Sequence, residues 1–121
     1  MNIQESGEMY LETIHILSER LEYVRSIDIV KEMNLSKPSV SRAIGKLKSD
    51  GYIEIDSLGH ISLTDTGLKL STKIYERHQV LTALFKAIGV SDEVAEKDAC
   101  RIEHFISDET FDKMKAHLNN K

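Results

Sequence analysis

The sequence of 121 residues contains very little of several residue types, and each shortage excludes a class of protein. It has one cysteine, one proline and no tryptophan. A single cysteine cannot form an internal disulfide, so the chain is not a disulfide-stabilised secreted domain. No apolar run is long enough to span a membrane, and the N-terminus lacks the pattern of a signal peptide. We therefore expect a cytoplasmic protein without a membrane partner.

The sequence also lacks an excess of positive charge, since 16 Lys and Arg residues face 20 Asp and Glu residues. The net charge of −4 argues by itself against a nucleic-acid partner. The distribution of charge is different, because residues 36–48 carry no acidic residue and four basic ones, namely Lys37, Arg42, Lys46 and Lys48. A basic face on an acidic protein is compatible with docking one element on DNA phosphates.

The apolar periodicity of the first 51 residues predicts three helices. Ser6 is expected to cap the first helix, which runs to about Leu21. The second is expected to start after Ser26, with Ile27 on its buried side. Ser36 is expected to cap the third helix, with Pro38 in its first turn and Gly51 at its end.

A change of period after Gly51 predicts a β-hairpin. Residues 52–56 and 61–63 alternate as two short strands do, and residues 57–60 form a plausible tip. The order of helices and hairpin is typical of a winged helix-turn-helix. We therefore expect a mainly α fold with a small β-hairpin, in which residues 1–63 form a winged helix-turn-helix DNA-binding domain.

The rest of the chain predicts three more helices. Thr64 is expected to cap a long fourth helix that ends near Gly89, and Ser91 and Ser107 are expected to open the fifth and the sixth. Residues 64–121 are therefore expected to form a second, all-α domain. The apolar candidates for a two-fold interface are Leu84, Phe85, Val94, Ile102, Phe105, Phe111 and Met114.

The third helix has the two faces that reading DNA requires. One side must be apolar to dock on its neighbours, and the other must offer hydrogen-bond donors to the major groove. The alternative is a small helical domain whose third helix is basic without a DNA partner. The predicted DNA-binding residues on this helix and the hairpin tip are Ser36, Lys37, Pro38, Ser39, Ser41, Arg42, Lys46, Gly59 and His60.

A possible metal site lies near the end of the expected fifth helix. Cys100, Glu103 and His104 stand at positions i, i+3 and i+4, which share one helical face. A thiolate, a carboxylate and an imidazole together suit a transition metal. The alternative is a small buried cysteine beside ordinary surface charges.

Three other residues could complete such a site. Met9 and Glu12 share a face of the first helix, and His78 lies on the fourth. Taken singly, each is explained as readily by core packing or by an exposed polar position.

The sequence resembles the diphtheria toxin repressor family, which includes iron-dependent regulators and the manganese transport regulator. The resemblance covers nearly the whole chain and is clearest at residues 8–12, 38–41, 63–67, 77–78 and 98–104. It implies that Met9, Cys100, Glu103 and His104 are primary metal ligands, as in the iron-dependent branch. Glu12 and His78 match metal-binding positions of the manganese branch, which implies a second or binuclear site.

Two features place the chain between these branches. Thr82 stands where the iron-dependent branch has an acidic ligand, and the length of the chain is closer to that of the manganese regulators. Thioether and thiolate donors shift preference away from Mn²⁺. We therefore expect Fe²⁺ as the effector and Mn²⁺ as the second candidate, while Zn²⁺, Co²⁺ or Ni²⁺ can bind in vitro.

The functional hypothesis is a metal-dependent repressor that controls metal-uptake genes. It is expected to bind a palindromic double-stranded operator as a homodimer, with the metal fixing the DNA-binding half against the C-terminal half. Residues 64–121 are then the all-α metal-binding and dimerisation domain. The alternative is a winged-helix regulator that responds to an organic ligand or to oxidation of Cys100. An enzyme is not expected, because no oxyanion nest, glycine-rich loop or acid–base pair is present, and no small organic substrate is expected either.

Overall fold

The computed structural model describes residues 5–120, so the first four residues and Lys121 of the expected domains lie outside it. Within that range the elements follow the order α1 (Glu5–Arg20), α2 (Ser26–Met33), α3 (Lys37–Ser49), β1 (Ile53–Ile55), β2 (Ile61–Leu63), α4 (Asp65–Ala87), α5 (Asp92–Ile102) and α6 (Asp108–Asn119). The expected mainly α fold with one small hairpin is confirmed. The chain forms two compact units, Met1–Thr72 and Lys73–Lys121, and the division falls within α4.

The core of the first unit is formed by the inner faces of α1, α2 and α3 with the hairpin. Burial there removes apolar side chains from water and is the main source of stability. The side chains of this core are Tyr10, Leu11, Ile14, Leu17, Val24, Ile29, Val40, Ile44, Leu47, Tyr52, Ile53 and Ile61.

The two ends of α3 are defined by the residues that the sequence indicated. The Ser36 hydroxyl accepts a hydrogen bond from the Ser39 N–H at 3.2 Å and caps the N-terminus. At the C-terminus Gly51 adopts a φ of 86°, which only glycine reaches without strain. The Tyr52 N–H then donates to the Leu47 carbonyl at 3.0 Å, which ends the helix in a Schellman motif.

The hairpin pairs its two strands antiparallel, and Ile55 lies opposite Ile61. The segment between α1 and α2 adds an isolated bridge between Val24 and Ile61. Both residues of the bridge are buried. The hairpin is thus attached to the helical part of this unit along its second strand.

Two details of the first unit differ from the sequence prediction. Ser6 lies inside α1 and does not cap it. Ile27 is 39% exposed, whereas Ile29 is fully buried, so the inner face of α2 contains Ile29 and not Ile27.

The start of α4 is seated tightly on the chain segment before β1. The Thr64 hydroxyl accepts a hydrogen bond from the Gly67 N–H at 3.1 Å, and the Thr64 N–H donates to the Tyr52 carbonyl at 3.1 Å. Gly67 is buried directly against that carbonyl, and a side chain placed there would collide with backbone atoms.

The second unit contains the remainder of α4 with α5 and α6. Its buried apolar side chains are Ile74, Leu81, Ala95, Ala99 and Phe111. The Ser107 hydroxyl accepts a hydrogen bond from the Thr110 N–H at 3.2 Å and caps α6 as expected. No helix between residues 5 and 120 is both long and apolar enough to cross a membrane.

The end of α5 corrects the sequence prediction. Glu103 and His104 were expected inside the fifth helix, yet the helix ends at Ile102 and both residues lie in the turn that follows. The Glu103 N–H still bonds to the Ala99 carbonyl at 2.9 Å, so Glu103 is the C-cap of α5.

The Arg77 guanidinium explains why the helix stops there. Its Nη1 donates to the Glu103 carbonyl at 3.1 Å and to the Ile106 carbonyl at 2.8 Å. These carbonyl oxygens therefore have a partner without a further helical turn. Arg77 is only 8% exposed and lies over the Phe111 ring, with 5.4 Å from its Cζ to the ring centroid.

Asp108 completes this arrangement at the start of α6. Its carboxylate pairs with Arg77 Nη2 and lies 3.1 Å from Lys73 Nζ. The hydrogen bond and charge of Lys73, followed by the hydrogen bond of Arg77, hold the pKa of Asp108 below its ordinary value. The carboxylate is thus ionised at neutral pH and fixes the guanidinium that ends α5.

A substitution at Gly67 tests the seating of α4. Gly67→Ala should lower the free energy of unfolding by about 3 kcal/mol, because the new methyl group meets the backbone of Tyr52. Gly45→Ala is the matched control, since α3 leaves open space there and alanine favours a helix by roughly 0.5–1 kcal/mol. Urea unfolding measures both, and equal effects of the two substitutions would contradict the close approach.

A substitution at Arg77 tests the termination of α5. Arg77→Gln should lower the free energy of unfolding by about 2–3 kcal/mol, because the Glu103 and Ile106 carbonyl groups lose their donor and Asp108 loses one of its two cationic partners. Arg101→Gln, at an exposed position of α5, should change it by less than about 0.5 kcal/mol. If both variants unfold at the same urea concentration as the wild type, Arg77 does not have this role.

Candidate metal centre and nucleic-acid interface

The Glu103 carboxylate is the centre of a buried polar cluster in the second unit. Glu103 is 1% exposed. Its Oε2 is 2.9 Å from Nδ1 of His78, on α4, and its Oε1 is 3.3 Å from Nε2 of His104. The side chains of Glu103 and His104 are fully buried, and that of His78 is 20% exposed.

A buried carboxylate is costly unless charges or hydrogen bonds compensate it. The His78 imidazole provides part of that compensation through its 2.9 Å hydrogen bond with Oε2, and imidazole nitrogen and carboxylate oxygen are also the donors that divalent transition metals use. The donor types and their closeness therefore fit a divalent metal ion. The structure brings together three of the predicted ligands, His78, Glu103 and His104.

The position of Cys100 is compatible with the same cluster. It is half-buried in the last turn of α5, three residues before Glu103. A thiolate there would add a soft donor to the nitrogen and oxygen donors of the neighbouring residues.

Met9 and Glu12, the other two predicted ligands, belong to the first unit. Both lie on α1, where Met9 is half-buried and Glu12 is 8% exposed. A carboxylate is seldom buried to this degree without a compensating group. Glu12 is thus the second buried acidic residue among those that the sequence singled out.

The predicted DNA-binding residues lie mainly on the outer face of α3. Exposed positions there are Ser36, Lys37, Pro38, Ser41, Arg42 and Lys46, while Ser39 is half-buried. The hydroxyls of Ser36 and Ser39 are 2.8 Å apart and belong to the helix cap. Lys46 Nζ lies 3.7 Å from the Asp50 carboxylate on the next turn.

The two predicted residues of the hairpin differ in their surroundings. Gly59 is exposed at the tip with a φ of 80°. The His60 side chain is only 16% exposed, and its ring stacks on Tyr23 and reaches Arg25. Sequence reasoning missed Tyr23 and Arg25, because a segment between two helices carries no periodic signal that shows which element it contacts.

Two family profiles match the chain almost end to end. The profile described as the N-terminal DNA binding domain of the iron dependent repressor matches residues 2–61. The profile described as the iron dependent repressor metal binding and dimerisation domain matches residues 64–121. The matched residues include the cluster around Glu103 and the outer face of α3.

Named relatives agree with these profiles. The chain is 34% identical over 103 residues to the transcriptional regulator MntR of Escherichia coli, covering 85% of this chain and 66% of that protein. It is 33% identical over 109 residues to MntR of Geobacillus kaustophilus, covering 90% and 77%.

A solved structure supports the same assignment. The manganese regulator SloR superposes with a TM-score of 0.83 and 27% identity over all of this chain and 56% of the other. The chain therefore spans only part of the length of SloR and of the two named relatives. Together, the profiles and relatives show that the chain belongs to the diphtheria toxin repressor family of metal-dependent transcriptional regulators, which are not enzymes.

Proposed function

We propose that this protein is a repressor that binds a palindromic operator as a homodimer when Fe²⁺ or Mn²⁺ is bound. The regulated genes are those of metal uptake, and the site of action is the cytoplasm, where the operator DNA is. The observation that carries the proposal is the fully buried Glu103 carboxylate beside the imidazoles of His78 and His104. An ion bound by these groups would supply positive charge where the chain has buried a negative one.

The proposed ligand set is the one that the family resemblance implies. His78, Cys100, Glu103 and His104 belong to it. Met9 and Glu12 of α1 are added on the basis of the family resemblance and of the burial of Glu12. We propose that metal occupancy is coupled to DNA affinity.

The donor set and the relatives favour different metals. SloR is described as a manganese regulator, whereas the thioether of Met9 and the thiolate of Cys100 are softer donors that favour Fe²⁺ over Mn²⁺. We retain Fe²⁺ as the first candidate and Mn²⁺ as the second. Zn²⁺, Co²⁺ and Ni²⁺ are expected to bind in vitro, because their intrinsic affinity for nitrogen and sulfur donors is higher.

The proposed dimer uses apolar side chains that the second unit leaves exposed. Ile88 is 72% exposed, Phe105 71%, Val94 47% and Ile102 37%. Exposed apolar side chains of this size are typical of an interface. Phe111 does not belong to this set, because it is 4% exposed and lies under Arg77, which corrects the sequence prediction.

The proposed DNA interface is the outer face of α3 with the hairpin beside it. Lys37 and Arg42 are exposed there, and no carboxylate of residues 6–120 lies within ion-pair distance of either. Cations without an internal counterion are suited to phosphate groups.

Metal-dependent DNA binding is the direct test. Without oxygen, Fe²⁺ or Mn²⁺ should tighten binding of the wild type to an operator duplex, by about 5- to 150-fold. Glu103→Ala and His104→Ala should abolish this gain, because each removes a donor of the cluster. Glu96→Ala, on an exposed position of α5, is the control and should retain it. Equal affinity with metal and with a chelator would contradict the proposal and favour an organic or redox signal.

The role of α3 requires a separate variant. Arg42→Ala should weaken operator binding in every metal state, because the guanidinium faces solvent on the proposed interface. Arg20→Ala, which removes an exposed arginine paired with Glu32, is the matched control. Fluorescence anisotropy with and without metal measures both, and unchanged affinity of the Arg42 variant would exclude this face.

A further inference from the structure

The base of the hairpin contacts the segment between α1 and α2 through two adjacent residues, His60 and Ile61. The Ile61 N–H donates to the Val24 carbonyl at 2.7 Å. The residue before Ile61 is His60, and the residues on either side of Val24 are Tyr23 and Arg25. A backbone bridge and a group of side chains thus hold the hairpin in one orientation.

His60 contacts its neighbours through both ring nitrogens and one face of the ring. Its face stacks on Tyr23 with 4.1 Å between the ring centroids and an interplanar angle of 12°. Its Nδ1 lies 3.2 Å from a carboxylate oxygen of Asp56, and its Nε2 lies 3.2 Å from Nη2 of Arg25. A side chain with both nitrogens and one face in use has little left to offer DNA.

Arg25 determines which ring nitrogen of His60 carries the proton. A guanidinium only donates hydrogen bonds, so Nε2 of His60 is the acceptor and Nδ1 carries the proton toward Asp56. Asp56 also accepts the N–H groups of Leu58 at 2.8 Å and of His60 at 2.9 Å. The backbone hydrogen bond from His60 is the largest cause that lowers the pKa of Asp56, so its carboxylate remains an acceptor.

Arg25 is held by a histidine and has no carboxylate partner. It is exposed, and no acidic oxygen of residues 6–120 lies within ion-pair distance of its guanidinium. The nearby carboxylate of Asp28 accepts the backbone N–H of Arg25 at 2.9 Å. By contrast, the exposed Arg20 is paired with Glu32 at 2.8 Å. Arg25 is therefore an exposed cation whose guanidinium contacts His60 and has no carboxylate counterion among residues 6–120.

We propose that Arg25 binds a DNA phosphate beside the hairpin and that His60 is the positioning residue that holds its guanidinium there. The inference rests on the proposed function, in which the hairpin lies along DNA. It changes the sequence-based interpretation, in which His60 itself contacts DNA. The phosphate would supply the counterion that the described part of the chain does not give Arg25.

The test measures how DNA affinity depends on salt, because the slope counts phosphate contacts and does not change with the folded fraction. The variants are Arg25→Ala, His60→Phe, the double variant and His60→Gln, with Arg20→Ala as the matched control. The full-length protein is titrated with Mn²⁺ on an operator duplex, and with chelator on an unrelated duplex of equal length. His60→Phe keeps the ring on Tyr23 but removes both nitrogens.

Arg25→Ala should reduce the salt slope by about 1 per protomer and weaken binding similarly on both duplexes. His60→Phe should reduce the salt slope and the DNA affinity by a smaller amount. It should reduce neither further when Arg25 is already alanine. His60→Gln should restore part of the affinity, because its amide oxygen can accept from Arg25. Arg20→Ala should leave the slope unchanged.

Two results would overturn the inference. The first is an unchanged slope in Arg25→Ala, and the second is an equal loss from His60→Phe with and without Arg25. The unrelated duplex reports the phosphate contact without metal. Failure of metal-dependent operator binding would therefore be seen separately from failure of the Arg25 contact.

Discussion

The burial of the Glu103 carboxylate is the constraint on which the second unit depends. A carboxylate that is 1% exposed loses its hydration, and it stays ionised only if nearby groups compensate the charge. His78 does so in part through a contact of 2.9 Å at Oε2, while Nε2 of His104 lies 3.3 Å from Oε1. A well-packed apolar residue would fill the same space at a lower cost in free energy. This cluster is therefore better explained by ligand binding than by a contribution to stability.

The placement of Glu103 depends in turn on Arg77. The guanidinium donates hydrogen bonds to the Glu103 and Ile106 carbonyls, in place of the N–H groups of a further helical turn. Because of this, α5 ends and the chain turns at His104. The Asp108 carboxylate holds the guanidinium and begins α6. The residue next to the proposed ligand His78 on α4 therefore fixes the backbone of two other ligands.

The sequence predicts the structural features that depend on residues close to each other in the chain. The cap at Ser36, the glycine at position 51 and the position of the hairpin depend on residues close in the chain, and all three agree with the structure. The end of α5 depends on Arg77, 26 residues earlier in the chain, which periodicity cannot show. The engagement of His60 by Arg25 has the same cause, since 35 residues separate them.

The most direct measurement is the free energy of unfolding of the wild type and of Glu103→Gln, with Mn²⁺ and with a chelator. If Glu103 is buried for the metal, a metal concentration 100 times the Kd should stabilise the wild type by about 2.7 kcal/mol. The nearly isosteric Glu103→Gln should gain little from metal and should be no less stable than the wild type in chelator. Equal stabilisation of both proteins by Mn²⁺, or none of the wild type, would contradict the account.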